Sequence, residues 1–303
     1  MKKQFEVIII GGSFAGLSAG LTLGRSLTPT LIIDSGEPCN APTPHAHNLI
    51  THDGKVPGEI AHLGKKDLEK YDHVEFINNR VVHIEQKEDQ FLILTDTDEE
   101  YFAEQIIFAT GVKDLLPETK GFKECWGKTI IHCPYCHGYE AKNTKTGILA
   151  KGEQAFEKAK MIFHWTKDLT IFTNGPHEMT AEQLEILSKK NISVLEKEIK
   201  SYLHDEGKLE ALEFMDNTRM ELDHLYALLP TAQPNSLAID LGIEISESGH
   251  IVTNEFQTTS QPKILAAGDG TTPMRSLSQA IAQGNIAGVV ANRTYIQNKY
   301  DFE

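Results

Sequence analysis

The feature that most constrains the fold is a glycine-rich turn between an apolar stretch and a helical stretch near the N-terminus. Residues 5–10 form a largely apolar, β-branched run of the kind that builds a buried parallel strand. The turn Gly-Gly-Ser-Phe-Ala-Gly occupies 11–16, and 17–27 predict a helix with small residues on the face toward the strand. A second strand is predicted at 31–33, ending on Asp34. The chain is therefore predicted to open with a β-α-β unit, which requires a sheet covered by helices.

The spacing Gly11-x-Ser13-x-x-Gly16 matches, with one exception, the turn by which such units bind a dinucleotide. Gly11 permits the tight turn, Gly16 lets the helix pack closely on the strand, and the helix N-terminus offers free N–H groups to phosphates. Ser13 replaces the second glycine of the pattern. Asp34 can accept hydrogen bonds from ribose hydroxyls. We therefore predict a dinucleotide site formed by Gly11, Gly12, Ser13, Phe14, Ala15, Gly16 and Asp34; the alternative is a glycine turn that only packs a helix.

A Cys-Pro-Tyr-Cys stretch at 133–136 places two thiols with two residues between them, and His137 follows directly. Such a pair beside an acid/base group is typical of a redox-active dithiol. A histidine can take a proton from a thiol or return one near neutral pH, although a purely structural hydrogen bond is the alternative. Zinc is a rival interpretation because His132 and His137 flank the pair. A structural zinc site normally needs a second, separated cysteine pair, which Cys39 and Cys125 do not form.

Later segments repeat the pattern of the first unit. Residues 147–150, a helix from about Gln154, and 169–172 predict a second strand–turn–helix–strand unit. Residues 264–270 predict a buried strand that ends at a Gly-Asp-Gly turn, followed by a helix from about Ser276 to Tyr295. The other predicted elements are a long functional loop at 36–58, a helix at 59–71, three strands in 80–108, a helix opened by a capping box at Thr180–Gln183, and short strands in 192–230 with turns at 205–207 and 216–217.

Composition argues against several classes of function. The net charge of −14, from 29 basic and 43 acidic side chains, does not favour nucleic-acid binding. Four cysteines in 303 residues are too few for a secreted disulfide scaffold. No apolar run reaches the length of a membrane span, and residues 1–10 lack the pattern of a signal peptide. We therefore expect a cytoplasmic protein of two domains that binds neither nucleic acid nor membranes.

The order and spacing of these elements resemble the low-molecular-weight thioredoxin reductases over essentially the whole chain. The matching features are the turn at 11–16, Asp34, Ala109-Thr110-Gly111, the cysteine pair, and the segment from Gly268-Asp269 to Gln279-Ala280. The resemblance implies an α/β fold with two Rossmann-like, three-layer dinucleotide-binding domains, the second inserted into the first. Residues 1–117 and 244–303 would form the FAD-binding domain, and 118–243 the inserted, NAD(P)H-domain-like one that carries the cysteines.

The resemblance also implies FAD as cofactor, a homodimer, a rotation between the domains, and a small thiol or disulfide or a thioredoxin-like protein as substrate. Cys136 would lie nearer the flavin and Cys133 would attack the substrate, with His137 as the third catalytic residue. Asp269 would hold the ribityl chain, and the N-terminus of the final helix would stabilise negative charge on the reduced flavin. Besides the residues of the first turn and Asp34, those assigned to the cofactor are Ser35, Asn40, Asn48, Val82, Ala109, Thr110, Gly111, Gly268, Asp269, Gln279 and Ala280.

The chain departs from the thioredoxin reductases proper at the second nucleotide turn and after the cysteine pair. Residues 150–153 read Ala-Lys-Gly-Glu, and 173–175 read Thr-Asn-Gly where the family places arginines for the NADPH 2′-phosphate. We therefore predict a degenerate NADPH site, with NADPH, NADH, another donor or oxygen left open as the electron partner. His137 stands where those enzymes carry an aspartate. This substitution resembles a sister branch that includes oxidases of small-molecule dithiols.

Three classes of function stay open at this point. A flavin thiol–disulfide oxidoreductase could reduce a disulfide with NAD(P)H or oxidise a dithiol with oxygen. A flavin NAD(P)H oxidase or monooxygenase would not need the two cysteines. A flavin-binding sensor would turn over no donor. The histidines at 45, 47 and 52 could suggest a metal, but a polar loop that covers the flavin, with Asn48 near the ring, is the favoured interpretation.

Overall fold

The computed structural model describes residues 3–300 and divides the chain into two compact units. Their bounds are, for the first unit, up to Ala41, Pro57–Asp114 and from Thr231 onward, and, for the second, Pro42–Val56 and Leu115–Pro230. The units thus divide at 114/115 and 230/231, whereas the sequence placed domain boundaries at 117/118 and 243/244. The short segment 42–56 groups with the second unit, although it precedes most of the first unit's strands.

The helices of both units are short except for the last one. They are α1 (Phe14–Arg25), α2 (Pro57–Leu68), α3 (Phe122–Cys125), α4 (Pro134–His137), α5 (Gly152–Ile162), α6 (Ala181–Lys189), α7 (Leu237–Asp240) and α8 (Leu277–Tyr300), with a 3-10 turn at Asp269–Thr271. No helix among residues 3–300 is long and apolar enough to cross a membrane.

The strands of the first unit are β1 (Lys3–Ile10), β2 (Thr30–Asp34), β3 (Val74–Asn78), β4 (Val81–Lys87), β5 (Gln90–Thr95), β6 (Glu100–Phe108), β7 (Lys113–Asp114), β16 (Thr231–Ala232) and β17 (Ile264–Ala266). Those of the second unit are β8 (Ile130–Ile131), β9 (Thr146–Leu149), β10 (Leu169–Phe172), β11 (Ser193–Leu195), β12 (Ile199–Asp205), β13 (Lys208–Phe214), β14 (Arg219–Glu221) and β15 (His224–Ala227).

A seven-stranded sheet forms the centre of the first unit. Six of its strands lie in the order β3-β2-β1-β6-β5-β4, and the seventh is β17. β1 pairs in parallel with β2 and β6, and β17 pairs with the C-terminal half of β6. The predicted β-α-β opening is confirmed, although α1 begins at Phe14 instead of Leu17. Because β1, β6 and β17 are parallel, the turns that follow them meet at one edge of the sheet, which is where parallel sheets bind nucleotides.

Small residues bring α1 and α8 of the first unit into backbone contact. A Cβ atom added to Gly284 would lie 2.1 Å from the Ala15 carbonyl oxygen, and one added to Gly288 would lie 2.9 Å from the Ala19 carbonyl oxygen. The final helix ends at Tyr300, five residues beyond its predicted end. Its glycines therefore fix the position of its N-terminal turn relative to the start of α1.

The second unit has three layers around a parallel sheet in the order β11-β10-β9-β15-β8. One face buries Ala155, Phe156 and Ala159 of α5 against Ile148 and Ile171, among others. The other face packs against the antiparallel sheet β12-β13-β14 through side chains that include Phe172, Leu212 and Phe214. The predicted internal repeat and the α/β fold with two Rossmann-like domains are thus confirmed.

Two parts of the first unit's sheet structure escaped prediction. β3 alternates between half-buried and exposed positions, so it lacks the continuous apolar run that marked β1. β7 and β16 form a two-residue antiparallel ribbon in which Thr231 pairs with Asp114 and Ala232 with Lys113. We call this pair the connecting ribbon, because the chain leaves the first unit after Asp114 and returns to it at Thr231.

The predicted capping box at the start of α6 is present and gives a stability prediction. The Gln183 N–H group donates to Thr180 Oγ1 at 3.2 Å, and the Thr180 N–H group donates to Gln183 Oε1 at 2.9 Å. Thr180→Ala is expected to lower the free energy of unfolding by about 1 kcal/mol. Both tryptophans, Trp126 and Trp165, lie in the second unit, so a urea titration followed by their fluorescence reports its unfolding.

Thr180→Ser is the matched control for this measurement, because it keeps the hydroxyl that accepts from Gln183. The serine variant is expected to unfold near the wild-type midpoint. Coincident midpoints for wild type and Thr180→Ala would contradict a stabilising role for the box.

Candidate active site

The two cysteines of the Cys-Pro-Tyr-Cys stretch are joined as a disulfide at the start of α4. Their Cα atoms lie 5.3 Å apart. Cys133 is the residue before the helix, and its sulfur accepts a hydrogen bond from the Cys136 N–H group at 3.2 Å. Pro134 occupies the first helical position, where its fixed φ suits the turn and its missing N–H group is not needed. The local sequence therefore sets the geometry of the disulfide.

His137 is the last residue of α4 and follows Cys136 directly in the chain. The backbone N–H group of His137 donates to the Cys133 carbonyl oxygen at 3.2 Å. Burial lowers the pKa of the His137 imidazole, and the nearby His47 lowers it further, while Glu140 opposes the shift. The ring is therefore neutral near pH 7, the form that can accept a proton from a thiol.

His47 is a neighbour of His137 that sequence analysis did not assign to the dithiol. The two ring centroids lie 6.4 Å apart in an edge-to-face arrangement. His47 Nδ1 lies 3.6 Å from Asp53 Oδ1, and Nε2 lies 3.6 Å from Glu140 Oε1. These are ion-pair distances, too long for direct hydrogen bonds. The histidines of the 36–58 loop were a visible signal, but the sequence could not show that segment 42–56 groups with the second unit and places His47 beside His137.

Aromatic side chains border the disulfide on the surface of the second unit. Tyr135, between the cysteines, is 65 % exposed, and Tyr139 is 71 % exposed. The ring of Trp165 lies edge-on to that of Tyr135 with centroids 5.8 Å apart. Lys158 Nζ donates to the carbonyl oxygen of His132, the residue before Cys133, at 3.0 Å. The surface beside the pair is therefore partly aromatic.

The remaining two thiols lie in different surroundings. Cys125 is fully buried, and burial raises the pKa of its thiol to about 11, so it stays protonated. Cys39 belongs to the first unit, where burial also raises its thiol pKa. Among residues 3–300 no group of three or more His, Cys, Asp or Glu side chains could hold a metal ion.

The first glycine turn has the geometry that the sequence predicted. Gly11 has φ +103°, and a Cβ atom there would lie 2.3 Å from the Ala109 carbonyl oxygen. A Cβ atom on Gly16 would lie 1.9 Å from the Gly11 carbonyl oxygen. The Gly12 N–H group donates to Asp34 Oδ1 at 2.9 Å, which fixes the carboxylate beside the turn. No larger residue fits at Gly11 or Gly16 without displacing the backbone.

Three predicted elements converge at the carboxyl ends of β1, β6 and β17. The Ala109 N–H group donates to the Ile10 carbonyl oxygen at 2.8 Å, so Ala109-Thr110-Gly111 lies against the first turn. Gly268 has φ +87°, and a Cβ atom there would lie 2.9 Å from the Ala15 side chain. Asp269 follows directly. The structure therefore brings the 11–16 turn, the 109–111 turn and the Gly-Asp turn together.

The convergence fits a dinucleotide with a pyrophosphate. Ser13 at the start of α1 makes no side-chain cap, and the first turn of α1 has no acidic residue, so the helix terminus can receive an anion. Ser35 and Asn40 follow Asp34 in the same unit, and Gln279 and Ala280 lie in the first turn of α8. Val82 is 51 % exposed on β4, and Asn48 groups with the second unit. The cofactor roles of all these residues stay predictions.

The residues of the second glycine turn, in the second unit, are already bonded to neighbouring residues of that unit. The Gly152 N–H group donates to the His177 carbonyl oxygen at 2.9 Å. Glu153, in the first turn of α5, accepts a hydrogen bond from the Gln183 side chain. Lys151 Nζ lies 3.5 Å from Glu178 Oε1. A backbone carbonyl and two carboxylates thus lie at the helix N-terminus, where a pyrophosphate would need free N–H groups.

The residues after β10 are also engaged within the second unit. Asn174 Oδ1 accepts a hydrogen bond from the Ile199 N–H group at 2.7 Å. Thr173 Oγ1 donates to the Gly175 carbonyl oxygen at 2.6 Å. These neutral side chains stand at the position predicted for phosphate-binding arginines, and their polar atoms serve the local fold.

The fold and the disulfide together define a flavin-dependent disulfide oxidoreductase. The chain belongs to the pyridine nucleotide-disulphide oxidoreductase family, which it matches over residues 5–284. Membership implies FAD as the cofactor, and the converging turns of the first unit fit it. The thioredoxin reductase-like character predicted from the motifs is therefore confirmed at the level of the family and its chemistry.

Relatives and solved structures agree with this placement. The chain is 30 % identical to thioredoxin reductase aclD of Aspergillus oryzae over 297 residues, covering 94 % of each chain. It is 29 % identical to thioredoxin reductase tcpT of Claviceps purpurea, covering 95 % of this chain and 93 % of the relative. The crystal structure of a putative thioredoxin reductase TrxB from Bacillus anthracis superposes with a TM-score of 0.93 at 32 % identity, covering 98 % of this chain and all of the other.

Proposed function

We propose that the protein exchanges electrons between FAD and a substrate dithiol or disulfide through Cys133 and Cys136, with the thiol substrate as its main electron partner in place of NADPH. The observation that carries the proposal is the Cys133–Cys136 disulfide next to His137, in a unit where the Gly152 N–H group of the second glycine turn is already bonded to the His177 carbonyl oxygen. A homodimer and a cytoplasmic location complete the proposal.

The pair can exchange with a substrate dithiol in a balanced sequence. A substrate thiolate attacks the Cys133 sulfur, the Cys133–Cys136 bond breaks, and Cys136 leaves as a thiolate. The second substrate thiol then attacks the mixed disulfide, so the substrate becomes a disulfide and the pair becomes two thiols. FAD, held by residues of the first unit, would supply the two-electron chemistry that restores the pair, with oxygen as the terminal acceptor of both electrons.

His137 accepts and returns the proton in this exchange. Its neutral ring accepts the proton of the attacking thiol, because only the thiolate is the nucleophile. The resulting imidazolium returns a proton to the departing Cys136 sulfur. The neighbouring Glu140 carboxylate stabilises the imidazolium, since it raises the pKa of His137 against the effect of burial.

The residues of the first unit would bind FAD in the manner that their geometry allows. The α1 N-terminus would receive the pyrophosphate, and Asp34 would accept from ribose hydroxyls. The Asp269 carboxylate would accept from the ribityl chain, with the α8 N-terminus beyond it. Substitution at Gly11 or Gly16 would move this backbone away from the phosphates.

Weak use of NADPH is expected because its binding would require breaking contacts that the second unit already makes. The Gly152 N–H group would have to exchange the His177 carbonyl for a phosphate, and the carboxylates of Glu153 and Glu178 would repel that phosphate. Directly after β10, residues 173–175 are Thr-Asn-Gly, so no arginine stands there to bind the 2′-phosphate.

An anaerobic titration tests the proposed electron partner. A small dithiol is expected to bleach the flavin absorbance rapidly and stoichiometrically, whereas micromolar NADPH or NADH is expected to bleach it only slowly. The dithiol and the two nucleotides are titrated into separate samples of the same protein, so that each serves as a control for the others.

Rapid stoichiometric bleaching by micromolar NADPH would contradict this assignment. It would favour the second candidate function, disulfide reduction driven by NAD(P)H, which the names of the relatives suggest. Bleaching by a nucleotide that persists when both cysteines are replaced, with no response to dithiols, would favour a flavin oxidase without disulfide chemistry.

A further inference from the structure

Arg275 lies at the centre of a buried charge cluster in the first unit. Its guanidinium donates from Nη1 to Asp114 Oδ1 at 2.6 Å and from Nη2 to Asp114 Oδ2 at 3.2 Å. The two side chains are 12 % and 9 % exposed. The remaining Nε group is buried, makes no hydrogen bond with the described residues, and lies 3.5 Å from Asp269 Oδ2. The Arg275 guanidinium therefore contacts two carboxylates, those of Asp114 and Asp269.

The two carboxylates mark different functional parts of the unit. Asp269 ends the Gly-Asp turn of the candidate cofactor site, whereas Asp114 is the last residue before the chain leaves the unit through the connecting ribbon. Gln233, the residue directly after the second strand of the ribbon, is hydrogen-bonded to this region as well. Gln233 Nε2 donates to the Gly270 carbonyl oxygen at 3.1 Å and to the Gly249 carbonyl oxygen at 2.9 Å. Residues 269–275 therefore contact Asp114, in the first strand of the connecting ribbon, and Gln233, which directly follows its second strand.

We propose that Arg275 is a positioning residue that keeps the Asp269 carboxylate ionised and oriented for the ribityl chain of FAD, and that links this carboxylate to the connecting ribbon. The proposal rests on the assignment of Asp269 to the cofactor in the proposed function. It extends that function by making cofactor binding depend on a residue without a place in the recognised motifs.

Electrostatics explains why Asp269 needs this partner. The titratable groups that face Asp269 are Arg275, Asp114, the Cys39 thiol and His250. The Cys39 sulfur donates to Asp269 Oδ2 at 3.7 Å, a weak hydrogen bond. Burial raises the pKa of Asp269, and Arg275 is the largest influence in the opposite direction. Without the guanidinium, two buried carboxylates would face each other and Asp269 would take up a proton closer to neutral pH.

Protonation of Asp269 would weaken its contact with a ribityl hydroxyl. The ionised carboxylate accepts a charge-assisted hydrogen bond, whereas the protonated carboxyl has lost its charge. The affinity for FAD should therefore fall as the pH falls through the pKa of Asp269. In the wild-type protein, Arg275 would keep Asp269 ionised near neutral pH, so the affinity for FAD would fall only at a more acidic pH.

Titration of the apo-protein with FAD, followed by flavin fluorescence at pH 8 and pH 6, tests the first half of the proposal. Arg275→Met is expected to raise the Kd about tenfold at pH 8 and further at pH 6, while the wild-type Kd changes little. Arg275→Lys should lose part of the affinity but keep the wild-type pH dependence, since it retains the charge without the fork. Arg293→Met, which removes an exposed arginine of α8, is the matched control and should bind as wild type.

A wild-type Kd in Arg275→Met at both pH values, or an equal loss at both, would overturn the positioning role. If Arg275→Met fails to fold, Arg275→Lys and Asp114→Asn carry the test. Asp114→Asn removes one partner of the bidentate pair and should weaken FAD binding, and unchanged affinity in both variants would overturn the role. Failure of the wild-type protein itself to bind FAD would instead remove the proposed function.

Amide hydrogen exchange tests the link to the connecting ribbon. FAD is expected to slow exchange in peptides that cover 113–116 and 230–233 of the wild-type protein, and to slow it much less in Arg275→Met at saturating FAD. Equal slowing in both proteins would overturn the link, because the ribbon would then respond to FAD without Arg275.

Discussion

Replacement of Cys136 by serine is expected to abolish turnover with dithiols while the protein keeps its flavin. A hydroxyl at this position cannot form the disulfide with Cys133, so electrons that arrive from a substrate have no route through the pair. The loss should be on the order of a thousandfold or more, because no disulfide is left at Cys133 for a substrate thiolate to attack. Steady-state oxygen consumption with a small dithiol measures it, and the visible spectrum confirms that the cofactor is retained.

Cys125→Ala is the matched control, because it also removes one thiol from the second unit. Its thiol is fully buried with a pKa of about 11, so it is not a nucleophile at neutral pH. The alanine variant should turn over dithiols at close to the wild-type rate. Unchanged turnover in Cys136→Ser would remove disulfide chemistry from the proposed function and favour a flavin oxidase that does not use the pair.

His137→Gln is expected to lower the rate of dithiol oxidation by about 10²–10⁴-fold and to change its pH profile. In the wild-type protein the rate should fall on the acid side, as His137 becomes protonated at a pH below its ordinary pKa of about 6.5. Glutamine cannot titrate, so this acid limb should disappear. The remaining rate should rise toward pH 8.5, where substrate thiols ionise without help.

The measurement is kcat/KM for a small dithiol between pH 5 and pH 9, with FAD content determined for each variant. His83→Gln, an exposed histidine on β4, is the control and should keep the wild-type rate and profile. An acid limb that persists in His137→Gln would assign the proton transfer to another group, with His47 as the first to examine because its ring faces that of His137.

The parts of the fold that sequence analysis predicted are those with a local signal. A continuous apolar run marked β1, the glycines marked its turn, and the capping box marked α6. β3 lacked such a run because its residues are half-exposed. The connecting ribbon is too short to leave a periodic pattern, and its pairing depends on residues more than a hundred positions apart.

The candidate site was predictable where a motif carries the chemistry, and not where charges meet across the fold. The 11–16 turn, Asp269 and the cysteine pair each follow from spacing. The pairing of Arg275 with Asp114 spans 161 positions and has no local signature. Likewise the sequence could not place His47 beside His137, since a loop does not encode the unit on which it packs.

The connecting ribbon also bears on how such a chain can be recombined. The Leu115 N–H group donates to the Pro230 carbonyl oxygen at 3.0 Å, so the intervening residues 115–230 begin and end at adjacent points. A module with neighbouring termini can be exchanged between homologues with two short junctions. Here a transplanted module would also have to bring residues 42–56, because that segment groups with the second unit and supplies His47, whose ring faces that of His137. Chimeras that swap both segments together are therefore the ones expected to yield a folded, active hybrid.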